Sequence, residues 1–173
     1  MKKIVAIVAF FAWTALPAVA LAEMTFIWFG APAEVRIKIG MDSGVTTVRH
    51  DVPTSMSGDG TPISGTPAGV LIEVSARRAT FGDWLNARYV VTADSSTPLS
   101  NGATTIPFTD ISWTSQDGDI PSGRFDGSSA QVILGATSAF WHIRDWHTFT
   151  YDNTRVLPGG TYSGTVTYTV SIP

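Results

Sequence analysis

The densest cluster of chemically versatile side chains runs from Phe140 to His147, with the sequence Phe-Trp-His-Ile-Arg-Asp-Trp-His. His142, Asp145 and His147 fall within six residues, and imidazole and carboxylate groups are common ligands of divalent metals. In a continuous strand His142 and His147 would point to opposite faces, because they are an odd number of residues apart. A turn at Arg144-Asp145 would bring them together in a hairpin. We favour a hairpin whose tryptophans pack on the core, and we predict no metal site.

Two acidic segments contain fragments of a calcium-binding loop. They are Asp117-Gly118-Asp119 and Asp126-Gly127. A complete EF-hand loop needs more oxygen ligands at fixed offsets and a closing glutamate, which this chain lacks. Because Asp-Gly is also common turn chemistry, both segments are interpreted as turns.

Evidence for catalysis is sparse. The segment Gly160–Gly164 has the wrong spacing for a G-x-S-x-G nucleophile elbow. Paired carboxylates of a glycoside hydrolase are defined by geometry and not by spacing, so Glu23, Glu34 and Glu73 leave that chemistry open. We predict that the protein is not an enzyme and that it carries no cofactor; a small secreted hydrolase ranks third among the functions considered.

The aromatic side chains allow a different function, because tryptophan rings can stack on sugars. Four tryptophans could form such a face: Trp84, Trp113, Trp141 and Trp146. Large aromatic side chains more often fill the core, and we favour that interpretation. A secreted carbohydrate-binding module remains the alternative function.

Composition narrows the class of protein. The chain has 173 residues, enough for one domain, and it has no cysteine, which excludes disulfides and sulfur-ligated metals. Only 14% of its residues are charged and the formal net charge is −3, so no basic surface for nucleic acid is expected.

The first 22 residues are typical of a cleaved secretory signal. Lys2 and Lys3 precede an apolar run from Ile4 to Ala20, and Ala20-Leu21-Ala22 provides the small residues that signal peptidase recognises. We therefore expect residues 23–173 to form a single exported domain with no membrane span. Without the two lysines, the mature chain of 151 residues has a formal charge of −5.

The mature chain is patterned as short strands between turns. From Thr161 to Ile172 the even positions are mostly apolar and the odd positions are Thr or Ser, which predicts a twelve-residue strand with one buried face. Shorter strands are predicted at Met24–Phe29, Glu34–Ile39, Val70–Val74, Tyr89–Thr92, Ile111–Trp113, Gln131–Leu134 and His147–Tyr151. This pattern predicts an all-β fold, an immunoglobulin-like antiparallel β-sandwich of about seven to nine strands.

The C-terminal segment resembles a known family. The run from Val156 to Val170, with its Pro-Gly-Gly turn, Gly-Thr-Tyr and alternating Val/Thr, is similar to the terminal strand of bacterial chaperone–usher pilins. The likeness is to the archaic branch related to spore coat protein U. The upstream block from Thr105-Ile106-Pro107-Phe108 to Gly127 also resembles exported pilin-like proteins. It covers about the last 70 residues, and the chain lacks the cysteine pair that archaic pilins commonly carry.

The resemblance implies a structural role in a surface fimbria. Pilin sandwiches lack one strand, which a periplasmic chaperone and then the N-terminal extension of the next subunit supply. It implies like subunits, and possible chaperone and usher proteins, as partners, and a route through the periplasm to the cell surface or medium. The implied subunit-interface residues are Phe26 and Trp28 in the donor segment and Val166, Tyr168, Val170 and Ile172 in the terminal strand. A self-complete sandwich, in which Met24–Phe29 pairs within its own sheet, stays open.

Overall fold

The computed structural model describes residues 23–27, 34–40, 47–77, 89–135 and 142–171. The predicted signal segment, residues 1–22, lies outside these ranges, as do Trp28, Phe29 and Ile172. Cleavage of the signal and the single-domain assignment of residues 23–173 therefore stay predictions.

Strands dominate the described residues, which contain no α-helix and two three-residue 3-10 turns. The twelve strands, in chain order, are β1 (Glu23–Ile27), β2 (Glu34–Ile39), β3 (Ile63–Ser64), β4 (Val70–Arg77), β5 (Val90–Asp94), β6 (Leu99–Ser100), β7 (Thr105–Ile106), β8 (Ile111–Ser115), β9 (Gly123–Arg124), β10 (Gln131–Leu134), β11 (His142–Tyr151) and β12 (Thr167–Ser171).

Seven of these strands form the larger sheet, in the order β1-β2-β4-β11-β8-β9, with β3 also paired to β11. All of its pairings are antiparallel. Strand β11 is central, because β4 and β3 pair along one side of it and β8 pairs along the other. A second sheet has the order β10-β5-β12, and β6 pairs with β7 in a small two-stranded ribbon.

The two main sheets enclose one apolar core. On β4, Ile72 and Val74 are fully buried, and Glu73 between them lies on the other face of the sheet. On β5, Val91 and Ala93 are fully buried. These residues belong to one contiguous cluster with Tyr168 and Val170 of β12, so the core is contributed by both sheets.

The structure confirms the all-β prediction with antiparallel sheets. The strand count exceeds seven to nine because four of the twelve strands, β3, β6, β7 and β9, are only two residues long. The predicted strands at Glu34–Ile39 and Gln131–Leu134 match β2 and β10 at both ends, while the other predicted strands differ at one or both ends.

One predicted strand is wrong in length. Of the described part of the expected run, residues 161–171, only Thr167–Ser171 is strand, and Ser163 makes an isolated bridge to Ser100. The chain changes partner between these points, from β6 to β5. Gly164 lies so close to β6 that a Cβ there would be 3.0 Å from the Leu99 Cα, so the chain crosses over this neighbour and does not extend a single ladder.

Candidate functional site

The predicted interface is centred on the last strand of the described chain. Strand β12 pairs antiparallel with β5 only, from Thr167 opposite Asp94 to Ser171 opposite Val90. Within the described ranges no strand pairs with its other side, so β12 is the edge of the three-stranded sheet. Edge strands leave a row of backbone N–H and C=O groups available to another chain.

Along β12, buried and half-buried side chains alternate as the sequence pattern predicts. Tyr168 and Val170 are 8% and 7% exposed and belong to the core, while Thr167 and Thr169 are half-buried on the opposite face. Val166, just before the strand, is partly buried and packs against the same core. Burial raises the pKa of the Tyr168 phenol, as expected for a side chain surrounded by apolar groups.

The predicted donor segment lies in the edge strand of the other, larger sheet. Strand β1 pairs antiparallel with β2, with Phe26 opposite Val35, and it ends the larger sheet. The N-terminal segment thus pairs within its own sheet in this structure. The predicted interface residues Trp28 and Ile172 lie outside the described residues, so the structure places Phe26, Val166, Tyr168 and Val170 on or next to two different edge strands.

Residues 142–147 lie in one continuous strand, β11, so the predicted hairpin turn at Arg144-Asp145 is wrong. Arg144 stands opposite Glu73 and Asp145 opposite Ile72 in an unbroken ladder with β4. As expected for a continuous strand, the two histidines point to opposite faces: His142 is exposed, whereas His147 is only 1% exposed. His142 Nε2 lies 2.8 Å from Glu73 Oε1 on the outer face.

Asp145 is fully buried and organises the segment after β8. Its Oδ2 accepts hydrogen bonds from the Ser115 hydroxyl at 2.7 Å and from the Ile120 N–H at 2.8 Å. Its Oδ1 accepts one from the Asp117 N–H at 3.2 Å. Burial alone would raise the pKa of Asp145, but these hydrogen bonds stabilise the carboxylate and the net pKa lies below its ordinary value.

His147 lies beside this carboxylate in an aromatic environment. Its ring stacks on Trp113 with an interplanar angle of 13° and meets Phe149 edge-on. Neither ring nitrogen has a hydrogen-bond partner among the described residues. Burial lowers the pKa of His147, and the negative charge of Asp145 offsets only part of this, so the neutral imidazole is favoured.

These groups do not form a catalytic or metal-binding arrangement. The Ser115 hydroxyl is bonded to Asp145 and also accepts the Gly118 N–H at 2.7 Å, whereas a nucleophilic serine would bond a histidine. Among the described residues no three His, Cys, Asp or Glu side chains are grouped as metal ligands. The hydrogen bonds to Asp145 instead hold the connection between β8 and β9 against β11, the central strand of the larger sheet.

Both acidic segments are turns, as interpreted from the sequence. Gly118 and Gly127 have φ of 81° and 75°, a left-handed conformation that glycine adopts easily. Asp126 Oδ1 accepts the Ser128 N–H at 2.8 Å, which is the usual way an aspartate closes its own turn.

The tryptophans do not share one face. Trp113 is 5% exposed in the core, and its indole N–H donates to the Pro121 carbonyl at 2.8 Å. Trp146 is half-buried on the outer face of the larger sheet, above Gly69. Trp84 and Trp141 lie outside the described residues. Since Trp113 and Trp146 are on opposite faces of one sheet, they cannot stack together on a sugar.

Sequence reasoning missed Asn153, which is 1% exposed and has φ of 51°. Its Nδ2 donates to the Met56 carbonyl at 2.7 Å, and its Oδ1 accepts the Gly58 N–H at 3.1 Å. Asparagine tolerates the left-handed conformation, and its position after a strand next to Asp152 was the available signal. Asn153 ties the loop around Gly58 to the end of β11.

No protein-family model matches this chain, and no curated protein matches it significantly. Within the described residues no helix is long and apolar enough to cross a membrane.

Proposed function

We propose that this protein is an exported structural subunit, or an accessory protein, of a surface fimbria assembled by strand complementation. The observation that carries the proposal is the position of β12, the last strand of the described chain and an edge of the three-stranded sheet. Adding a strand of another chain to such an edge uses backbone hydrogen bonds for affinity and side-chain pockets for specificity.

The composition of β12 supports this role. Monomeric proteins commonly protect an exposed edge with charged residues, proline or a bulge. Strand β12, with the sequence Thr-Tyr-Thr-Val-Ser, has no charged residue and no proline, and its pairing with β5 is regular from end to end. An edge of this kind favours association and therefore suits a subunit whose edge is covered in the assembled state.

The location of β1 supports it as the donor. Strand β1 begins directly after the predicted cleavage site and is held by a single pairing, to β2. An N-terminal strand that pairs on one side only can leave its own sheet and add to the β12 edge of a second copy.

Partners and location follow from this proposal. The partners are like subunits, together with a periplasmic chaperone and an usher that would protect and deliver an incomplete sandwich. The protein would pass through the periplasm to the cell surface, or be secreted, and it would act without a cofactor or catalytic residue. The mature chain has no cysteine, so strand pairing and the apolar core must hold each subunit together without disulfides.

The proposal is tested by removing the donor. The mature chain 23–173 and a truncated chain 30–173 are compared by analytical ultracentrifugation and electron microscopy over a range of concentrations. We expect the mature chain to form linear polymers and the truncated chain to remain a folded monomer. A mature chain that stays monomeric throughout, with or without a chaperone from the same genome, would overturn the proposal.

A further inference from the structure

The two main sheets are joined at one flank of the sandwich, where the edge strands β9 and β10 meet. Gln131 of β10 donates from Nε2 to the Arg124 carbonyl of β9 at 2.7 Å, and its Oε1 accepts the Asp126 N–H at 3.1 Å. The Ser95 N–H, just after β5, donates to the Ser128 carbonyl at 3.0 Å and ties the connection between β9 and β10 to the same sheet as β10. We call this side of the molecule the closed flank.

The opposite side carries the other two edge strands, β1 and β12. Strand β12 faces β2 across the core, where Ile37 of β2 belongs to the same buried cluster as Tyr168 and Val170. Strand β1 lies next to β2, so each main sheet ends on this side. No ladder joins β1 to β12 among the described strands. We call this side the open flank.

Strand β1 is held in its own sheet by one ladder. Its residues Glu23 to Ile27 are all paired with β2. A strand in the middle of the larger sheet has a ladder on both sides, as β11 has with β4 and β8. Because β1 leaves the sheet when a single ladder breaks, its local opening costs less free energy than the opening of β11.

We propose that the pairing of β1 with β2 is an autoinhibitory contact. While β1 is docked on β2 of its own copy, the chain can accept a strand at β12 but cannot donate one. Release of β1 is then the step that permits assembly, and the rest of the sandwich stays folded because both sheets contribute to its core. This inference rests on the proposed function, in which β12 of the next copy receives β1.

Hydrogen exchange in the monomer tests whether β1 is released from β2 without global unfolding. At concentrations too low for polymers, the β1 amides should exchange at least about tenfold faster than those of β11. A low concentration of urea should accelerate exchange in β11 more than in β1, because only the opening of β11 exposes the core. If β1 exchanges no faster than β11 and responds equally to urea, the inference is overturned.

A reversible disulfide tests the autoinhibitory contact itself. Thr25 stands directly opposite Arg36, and the chain has no cysteine of its own, so Thr25→Cys combined with Arg36→Cys ties β1 to β2 by a single cross-link. We expect the oxidised variant to stay monomeric at concentrations where the mature chain polymerises, and to polymerise after reduction. Polymerisation of the fully oxidised variant would overturn the inference.

The matched control is Thr114→Cys combined with Thr148→Cys. These residues are also directly opposed, and their disulfide ties β8 to β11 while β1 stays free. The oxidised control should polymerise as the mature chain does. If it also stays monomeric, cross-linking the larger sheet, and not the docking of β1, prevents assembly.

Mixtures separate accepting a strand from donating one. A copy whose β1 is cross-linked to β2 should still accept a donor at β12, so it should end a polymer. One oxidised copy for about ten mature copies should therefore limit polymers to about ten subunits, and unchanged lengths would contradict the inference. If the mature chain never polymerises, the proposed function fails and the autoinhibition with it, whereas local release of β1 is still decided by hydrogen exchange.

Discussion

The carboxylate of Asp145 is the residue on which the segment between β8 and β9 depends. It has no exposed surface and accepts hydrogen bonds from Ser115, Asp117 and Ile120. A buried carboxylate of this kind is costly unless its acceptor sites are filled, and here backbone N–H groups of a turn help to fill them. The bonded network explains why an ionisable side chain occupies an inward-facing position.

Asp145→Asn should destabilise the protein by about 1–3 kcal/mol, because an amide N–H₂ would face backbone N–H groups that now have an acceptor. Urea unfolding measures the change. Asp119→Asn, at an exposed position in the same segment, is the control and should change the free energy of unfolding by less than about 0.5 kcal/mol. Equal effects of the two substitutions would contradict the assigned role of Asp145.

His147 gives the protein a predictable acid sensitivity. Burial lowers its pKa in the folded state below the ordinary 6.5, so the unfolded chain binds a proton more readily. The contribution of the neutral imidazole to stability is therefore complete above pH 6.5 and is lost as the pH falls below that value. The lowered pKa of Asp145 acts in the same direction below its ordinary 3.8.

Replacing His147 with Phe should remove the part of this pH dependence that begins near 6.5. The urea midpoints at about pH 8 and about pH 5.5 should then lie closer together than in the unmodified chain. Thr148→Ser, next to His147 in the same strand and without an ionisable group, should keep the full difference. An unchanged pH dependence in His147→Phe would contradict the account, and His147→Leu serves if the Phe variant does not fold.

At the scale of elements, the sequence predicts which side chains of a strand face the core better than it predicts how long the strand is. The Val/Thr alternation correctly places Tyr168 and Val170 inside, because it reflects one buried and one solvated face. The same alternation predicts strand throughout residues 161–171, where only Thr167–Ser171 is strand, since the pairing partner, and not the pattern, decides where a ladder ends. Likewise β11 stays continuous through Arg144-Asp145 because β4 pairs along both residues.

A substitution at Gly164 tests whether close approach to β6 explains the short terminal strand. A Cβ at this position would lie 3.0 Å from the Leu99 Cα and 3.1 Å from its N, and backbone atoms cannot move aside cheaply. Gly164→Ala should therefore destabilise the protein by about 1–3 kcal/mol in urea unfolding. Gly159→Ala is the matched control, because a Cβ there would meet nothing within 4 Å. A Gly164→Ala variant as stable as Gly159→Ala would show that close approach to β6 does not shape this segment.

At the scale of the whole molecule, composition and patterning predict an all-β chain, but they do not predict which strands form the edges. Sheet order depends on contacts between distant segments, such as those joining Ile37, Ile72 and Tyr168 in one core. The buried Asp145 and Asn153 were not predicted as core residues, because their hydrogen bonds come from loops distant in sequence. The edge positions of β1 and β12 are therefore seen only in the structure.

The most direct test of the central claim is hydrogen exchange in β12 of the truncated chain 30–173, with and without a synthetic peptide of residues 23–29. We predict that the β12 amides on the side away from β5 exchange rapidly in the truncated chain. Saturating peptide should protect them at a stoichiometry of about one peptide per chain. If these amides are already protected without the peptide, or stay unprotected with it, β12 is not an edge that accepts a donor strand.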